Sequence, residues 1–315
     1  MILKASAPGK VILFGEHFVV FGKKAILASI DKRVTVTSEK NEENTISVKS
    51  NLGQLTESNT VLIEEINSPL KPFFYIAKSM IDQFKFKGGI NIVINSEIPS
   101  GIGLGSSSAC CVAGAASISN LFTKLSREEI IDLAVKAEQT IFKNTSGADC
   151  TVCTHGGIIE YEKNAGFKKI NSKNNFILII INSGQTHSTN LTVSKVKNFK
   201  EKNEEQFLTL CEKEELLIEN IKQALEKNDL IAIGKSMIEN QKYLEEIGVS
   251  NDKLREMLVS VENSSYGAKI TGAGDGGCII ALTDDSNLEK TMNYLRSKNY
   301  ECFSVKIDSK GLDTF

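Results

Sequence analysis

Residues 99–109, PSGIGLGSSSA, place three glycines directly before a run of three serines. Glycine has no Cβ, so its backbone amides can turn toward a ligand, and the free amides at a helix N-terminus favour phosphate. The segment therefore predicts an anion-binding loop at the start of a helix, with Ser106, Ser107 and Ser108 able to cap the helix or to ligate. A tight strand-to-helix connection without any ligand is the alternative.

Two common nucleotide-binding motifs do not fit this loop. No lysine follows the glycines, as a Walker P-loop requires, and Ser106 stands where a dinucleotide fingerprint starting at Gly101 needs its last glycine. A second stretch, KITGAGDGGC at 269–278, does satisfy that fingerprint, but the apolar run after it is typical of a strand. We therefore interpret 269–278 as a glycine turn that shapes one wall of a site.

Two carboxylates and a lysine are further candidates for chemistry. Glu138 lies on the apolar face of a predicted helix, where it needs a cation such as Mg²⁺ or hydrogen bonds, unless it forms a salt bridge at the edge. Asp149 lies eleven residues later beside small residues, where it approaches a ligand or simply forms a turn. Lys10 shares an apolar segment with Glu16 and His17, and it either pairs with Asp149 or extends along the surface.

Length and charge limit the class of protein. A chain of 315 residues exceeds the usual size of one domain and favours two. The 37 basic and 39 acidic residues leave a formal charge of −2, which argues against binding to nucleic acid or to an anionic membrane through bulk charge. No apolar run is long enough for a signal-peptide core or a membrane span, so we predict a soluble, cytosolic protein.

The cysteines do not indicate a metal or redox site. Their number, seven, is odd and they are scattered, which argues against a disulfide framework. Cys150 and Cys153 form one CxxC pair, but no second pair follows and only His155 lies nearby. We expect most of the cysteines to be small buried side chains.

Hydrophobic patterns indicate the elements that position these residues. Short β-branched runs predict strands at 2–7, 11–14, 34–37, 46–48 and 90–94, and helical spacing or small-residue composition predicts helices at 72–84 and 109–121. Ser126 and Glu129 predict a capping box before a helix whose apolar face is formed by Ile130, Ile131, Ala134, Ala137, Ile141 and Phe142.

The second half of the chain differs in character. A polar stretch at 171–175 predicts a boundary between domains 1–175 and 176–315. Charged amphipathic helices are predicted over 191–262, followed by a helix near 288–296 and a strand near 303–307. One helical stripe is assigned to the core and consists of Leu216, Leu217, Ile221 and Leu225.

Three motifs together resemble the GHMP kinases, named after galactokinase, homoserine, mevalonate and phosphomevalonate kinases. They are PGKVILFGEHFVVFG at 8–22, PSGIGLGSSSA at 99–109 and KITGAGDGGC at 269–278, in the order in which the family carries them. The pattern GEHxVVxG in the first motif is most similar to the mevalonate kinase branch. The resemblance implies a two-domain α+β fold, with an N-terminal half like the second domain of ribosomal protein S5 and a ferredoxin-like C-terminal half.

The resemblance also implies an enzyme that uses ATP and Mg²⁺ to phosphorylate the primary hydroxyl of mevalonate, a step in isoprenoid precursor synthesis. Asp149 and Lys10 match the family's catalytic residues, and Ser107 and Glu138 match its Mg²⁺ ligands. The predicted ATP-binding residues are Pro99, Ser100, Gly101, Ile102, Gly103, Leu104, Gly105, Ser106, Ser107 and Ser108. The predicted substrate-binding residues are Glu16, His17, Gly272, Ala273 and Gly274.

The catalytic loop departs from the family pattern. Many mevalonate kinases read HGxPSGxDN at this place, whereas this chain reads FKNTSGADC at 142–150. A phosphomevalonate kinase or another GHMP kinase is therefore the second interpretation. A non-catalytic ligand-binding protein of the same fold and a nicotinamide oxidoreductase are alternatives from other classes. The predicted partner is a small molecule, and the oligomeric state, a homodimer among the options, is left open.

Overall fold

The computed structural model describes residues 1–143, 145–173, 176–185 and 188–315. The strands are β1 (Ile2–Phe14), β2 (Ala25–Asn41), β3 (Thr45–Ser50), β4 (Gly53–Ser58), β5 (Gly89–Ser96), β6 (Ile158–Glu162), β7 (Gly166–Ile170), β8 (Ile177–Asn182), β9 (Gly267–Thr271), β10 (Cys278–Thr283), β11 (Glu301–Lys306) and β12 (Asp313–Thr314). The α-helices are α1 (Lys71–Phe84), α2 (Ser106–Ser119), α3 (Arg127–Glu138), α4 (Ala148–His155), α5 (Thr189–Lys202), α6 (Glu204–Lys227), α7 (Leu230–Glu246), α8 (Asp252–Val261) and α9 (Asp285–Ser297).

The first sheet is built on two long antiparallel strands, β1 and β2. Its order is β12-β1-β2-β5-β3-β4, and β6 pairs with β2 and carries β7. The two separate strands predicted at 2–7 and 11–14 form one continuous strand, with a register shift between Pro8 and Gly9. Proline has no amide hydrogen for the ladder, and the irregularity at this point accommodates it. Lys10 therefore lies within this continuous strand, directly after the irregularity.

The second sheet has the order β11-β8-β10-β9 and is antiparallel throughout. Its central strands, β8 and β10, are buried over nearly their whole length, as the aliphatic runs predict. After this sheet the chain returns to the first one, where β12 pairs with β1. The predicted domain boundary at residue 175 lies outside the described residues and stays a prediction.

The N-terminal helices cover the first sheet and reach the loops of interest. α1 has nearly the predicted bounds, and α3 begins with the predicted capping box of Ser126 and Glu129. α2 is almost completely buried, and a Cβ on Gly114 would lie 2.8 Å from the Phe73 ring, which explains its small-residue composition.

Two predictions about helix faces were wrong. α3 ends at Glu138, so Ile141 and Phe142 lie beyond it and are 37% and 53% exposed instead of extending its apolar face. Leu216 is 67% exposed, because two residues along a helix turn it well away from the buried stripe that includes Glu214 and Ile218. No helix among the described residues is long and apolar enough to cross a membrane.

Candidate active site

The glycine loop at 99–105 is held against β1 and opens directly onto α2. Gly101, Gly103 and Gly105 all have positive φ, at 78°, 86° and 70°. The backbone amide of Lys10 donates to the carbonyl oxygen of Leu104 at 2.9 Å, which fixes the loop on the strand. The structure thus confirms a strand, a glycine loop and a helix in the predicted order.

The helix begins three residues earlier than the predicted 109–121, at Ser106. Gly105 is the N-cap in the left-handed conformation, and no side chain caps the helix. The serines therefore form the first turn and do not act as its caps, which corrects one of the two roles predicted for them. The uncapped amides of that turn form a site suited to phosphate.

Lys10 and Asp149 form an ion pair beside this loop. The Nζ atom of Lys10 lies 3.0 Å from Oδ2 of Asp149, with the lysine side chain 5% exposed and the aspartate side chain 34% exposed. β1 supplies the lysine, and the first turn of α4 supplies the aspartate. The pairing predicted from sequence is confirmed as a contact, and the exposed part of the carboxylate faces away from the core, where a ligand can reach it.

Gly105 provides a specific test of how Lys10 is positioned. A Cβ at this residue would lie 2.6 Å from Cγ of Lys10, so Gly105→Ala must displace the lysine side chain. We expect kcat to fall by about 10²-fold, the loss typical of a misplaced catalytic group. The measurement is steady-state kinetics together with a thermal unfolding curve.

Gly166→Ala is the matched control for this variant. Gly166 also has positive φ, at 83°, but a Cβ there would have nothing within 4 Å. Both variants carry the same kind of backbone strain, of about 1–2 kcal/mol, and only one of them displaces Lys10. Equal activities of the two variants would contradict this positioning role of Gly105.

Glu138 is a buried carboxylate surrounded by hydroxyl and thiol groups. Ser108 Oγ donates to its Oε1 at 2.6 Å, Thr145 Oγ1 donates to its Oε2 at 2.7 Å, and Cys150 Sγ lies 3.8 Å from Oε2. Burial raises the pKa of Glu138, the Asp149 charge adds to the rise, and the hydroxyl hydrogen bonds oppose it. A carboxylate with oxygen neighbours is a donor set that suits Mg²⁺.

The serine that contacts Glu138 differs from the one assigned by resemblance. The structure places Ser108 against the carboxylate, whereas Ser107 is half-buried one residue earlier in α2. Thr145 and Cys150, two positions where the chain departs from the family pattern, both lie against this same carboxylate. The departure therefore alters the surroundings of Glu138. Asn144, in the same loop, lies outside the described residues.

His17 contacts the glycine turn at 272–274, which forms one end of the site. Its Nε2 lies 2.8 Å from the carbonyl oxygen of Ala273, and since a carbonyl only accepts, that nitrogen carries the hydrogen. Burial lowers the pKa of His17 to about 4, so the ring is neutral at physiological pH. Gly272 and Gly274 have positive φ, at 83° and 78°, which the tight turn requires.

Glu16 does not face the open part of the site in this structure. It is completely buried, and its carboxylate forms an ion pair with the equally buried Lys269. Burial raises the pKa of Glu16, and the Lys269 charge works against that rise. Its predicted role as a direct substrate ligand stays a prediction, whereas its contact with β9 is a structural fact.

The sequence analysis did not identify two residues of β9 as part of this site. Lys269 pairs with Glu16, and the hydroxyl of Thr271 exchanges two hydrogen bonds of 3.0 Å with the backbone of Ile12. Both belong to the motif KITGAG, so a lysine and a threonine alternating with apolar residues directly before the glycine turn were the available signal. Thr271 joins β9 to β1, and Lys269 joins β9 to the segment that follows β1.

The CxxC pair lies inside α4. Cys150 and Cys153 are free and buried, and burial holds the pKa values of both thiols well above their usual range. Within the described ranges, no three histidine, cysteine, aspartate or glutamate side chains are grouped so that they could hold a metal ion.

Two family models match the parts of the chain that carry the second and third motifs. Family models match at residues 72–157, for the GHMP kinases N terminal domain, and at 221–302, for the GHMP kinases C terminal domain. Mevalonate kinase of Thermococcus gammatolerans is 34% identical over 309 residues, which cover 92% of this chain and 91% of the relative. The crystal structure of Methanococcus jannaschii mevalonate kinase has a TM-score of 0.85 at 28% identity and covers 98% of each chain. The L. major mevalonate kinase in complex with R-mevalonate has a TM-score of 0.82 at 26% identity, with 98% and 96% covered.

The chain therefore belongs to the GHMP kinases. Within that family, curated relatives that are 30%, 33% and 34% identical over 91% to 92% of this chain are named mevalonate kinase. The predicted resemblance, the α+β fold and the enzyme class, a kinase, are confirmed. The nicotinamide alternative fails on the fold, because the glycines of 272–277 lead into strand β10 and not into a helix.

Proposed function

We propose that this kinase transfers the γ-phosphoryl group of ATP to the primary hydroxyl of mevalonate, giving 5-phosphomevalonate. The observation that carries the proposal is the Lys10–Asp149 ion pair, which lies beside the glycine loop and close enough to Glu138 for both charges to influence that carboxylate. The relatives of this chain that are named mevalonate kinase, and the L. major mevalonate kinase in complex with R-mevalonate, support the choice of substrate.

The phosphates of ATP are assigned to the glycine loop and the first turn of α2. The positive φ angles at Gly101, Gly103 and Gly105 let the loop turn sharply, and the uncapped amides of the helix supply donors to phosphate oxygens. Ser106 and Ser107 add hydroxyl groups in the same turn. The ten contiguous residues predicted from sequence, 99–108, of which Leu104 and Ser108 are buried, stay our assignment for the triphosphate.

Glu138 and the serines of α2 are the residues that would hold Mg²⁺. The donor set consists of hard oxygen atoms, and the buried carboxylate with a raised pKa needs a positive charge nearby. When bound, the ion would neutralise phosphate charge and orient the γ-phosphate. Ser107 remains the proposed ligand by resemblance, and Ser108 and Thr145 hold the carboxylate in place.

Asp149 and Lys10 act on the reacting groups. Asp149 accepts the proton of the attacking hydroxyl or orients it, and Lys10 keeps the aspartate in position and neutralises phosphate charge. Because phosphoryl transfer has a loose transition state, positioning and charge neutralisation contribute more than a strong base. His17 and the turn at Gly272, Ala273 and Gly274 bind the other end of the alcohol.

The test compares alcohols in an assay that couples ADP formation to a colour change. We expect kcat/KM for mevalonate to exceed that for phosphomevalonate, homoserine and galactose by at least about tenfold, because unmatched polar groups reject the wrong alcohol. A higher value for phosphomevalonate would favour the second interpretation. No ADP with any alcohol would mean that the fold serves ligand binding instead. A cytosolic location and a homodimer stay predictions.

A further inference from the structure

A buried polar cluster lies behind the turn that carries Glu16 and His17. Its members are Glu16, Glu214 of α6, Asn240 of α7 and Lys269 of β9, and all four are 0% exposed. Neither Glu214 nor Asn240 belongs to the motifs that indicate the kinase family. We call these four residues the buried carboxylate cluster.

The charges of this cluster do not balance if both glutamates are ionised. Lys269 donates to Glu16 Oε1 and to the carbonyl oxygen of Ile270, so its single positive charge is committed to Glu16. Glu214 Oε2 accepts a hydrogen bond of 2.7 Å from the uncharged amide of Asn240. An ionised Glu214 would therefore be a second buried negative charge without its own cation, which is a costly arrangement.

The cluster also has fewer hydrogen-bond donors than its buried acceptor oxygens need. Glu16 Oε2, Glu214 Oε1 and Asn240 Oδ1 are buried oxygen atoms that have no hydrogen-bond partner among the described protein atoms. All three only accept hydrogen bonds when both glutamates are ionised. A single proton on Glu214 removes the excess charge and converts one of these three acceptors into an O–H donor.

Burial and the neighbouring Glu16 carboxylate favour the neutral form of Glu214. Burial, followed by repulsion from Glu16, raises the pKa of Glu214 to about 7, against opposing contributions from Asn240, Lys269 and the Gly15 amide. Tyr243 of α7 and Cys211 of α6 also face it, but both have raised pKa values and stay uncharged. Lys269 is the cation that faces it, and Glu16 holds that lysine.

We propose that Glu214 is a positioning residue that carries a proton in the working enzyme. Its neutral carboxyl group lets Lys269 stay paired with Glu16, and this ion pair fixes the turn that presents His17. His17 contacts the glycine turn through Ala273, and Lys269, at the other end of the same short segment, holds the neighbouring Glu16. Ionisation of Glu214 would draw Lys269 away from Glu16 and loosen that turn. The link to catalysis rests on the proposed function, whereas the proton on Glu214 does not.

The direction of the pH effect follows from the raised pKa. In the unfolded chain Glu214 ionises near its ordinary value of 4.5, while in the folded protein it keeps its proton up to about 7. Between about pH 4.5 and 7 the folded state binds more protons than the unfolded state, so the contribution of Glu214 to the free energy of unfolding falls as the pH rises. Above about pH 7 this contribution falls no further. Glu214→Gln has the shape of the neutral acid and does not titrate, so it avoids this loss.

The test measures the melting temperature of the wild type and of Glu214→Gln across pH. We expect similar values near about pH 5, and at about pH 8.5 a melting temperature for Glu214→Gln that is higher by about 2 °C or more. Glu212→Gln, an exposed position on the same helix, is the matched control and should follow the wild type. In kinetic assays with the alcohol that has the highest kcat/KM, we expect KM for that alcohol to rise above neutral pH in the wild type but not in Glu214→Gln. KM for ATP should stay unchanged with pH in both proteins.

Each alternative outcome contradicts the proposal. Parallel melting curves would show that Glu214 has no raised pKa, and a Glu214→Gln protein that is less stable at every pH, or does not fold, would show that the ionised carboxylate is required. A melting difference without any change in KM would overturn the positioning role alone. Because the melting curves need no substrate, failure of the mevalonate assay would leave this test of the proton unaffected.

Discussion

Asp149→Asn is expected to lower kcat by at least about 10²-fold while the protein stays folded, as for loss of a group that accepts a proton from the nucleophile. The asparagine amide has the same shape and still offers an oxygen to Lys10, which lies 3.0 Å from the aspartate. It cannot take the hydroxyl proton or balance the lysine charge. Rates with saturating ATP and alcohol, compared with the wild type, measure the effect.

The control for this variant is Asp82→Asn in α1. Asp82 is 63% exposed and pairs with Lys78 of its own helix, so its replacement changes surface charge by the same amount without touching the site. Its kcat should equal that of the wild type. Near-normal turnover by Asp149→Asn, with unchanged unfolding behaviour, would remove Asp149 from the mechanism.

Lys10→Met should reduce kcat/KM for ATP by about 10²- to 10³-fold, the loss that follows removal of one group stabilising developing charge. The methionine fills similar space between β1 and the loop, where Lys10 contacts Gly105, but has no charge to offer phosphate. Asp149 is 34% exposed, so water can hydrate its carboxylate once the lysine is gone. We therefore expect folding to be retained and activity to be lost.

Lys4→Met provides the matched comparison. Lys4 lies on the same strand, β1, but is exposed, so the substitution removes one positive charge from the strand without changing the loop. Steady-state kinetics at varied ATP should separate the two variants clearly. Similar kcat/KM values for both would mean that Lys10 serves only to hold the fold, and the charge it places beside Asp149 would have no part in transfer.

The parts of the site that depend on local sequence were predicted well. A glycine run before small helical residues implies a loop and a helix start, and the capping box of Ser126 and Glu129 marks the start of α3. The start of α2 was misplaced by three residues, because serines were taken as caps although Gly105 takes the left-handed cap position. Helix boundaries depend on backbone angles that residue types only suggest.

The parts that depend on contacts between distant residues could not be predicted. The contact of Glu16 with Lys269 joins residues 253 positions apart, and that of Glu214 with Asn240 joins two different helices. Glu214 lies in a helix rich in charged residues and was not among the site residues predicted from the sequence. Leu216 was assigned to the core, although it is exposed. Packing decides which face of an amphipathic helix is buried, and periodicity in the sequence can misplace that face by two residues.

The most direct measurement is phosphorus NMR of the reaction of the purified protein with ATP, Mg²⁺ and mevalonate. We expect ADP formation to be accompanied by an equal amount of a new phosphate monoester signal, split by the two protons of a primary carbon. Inorganic phosphate as the only new signal would show hydrolysis without transfer. Absence of any reaction with mevalonate, alongside a diphosphate product from phosphomevalonate, would contradict the assigned substrate.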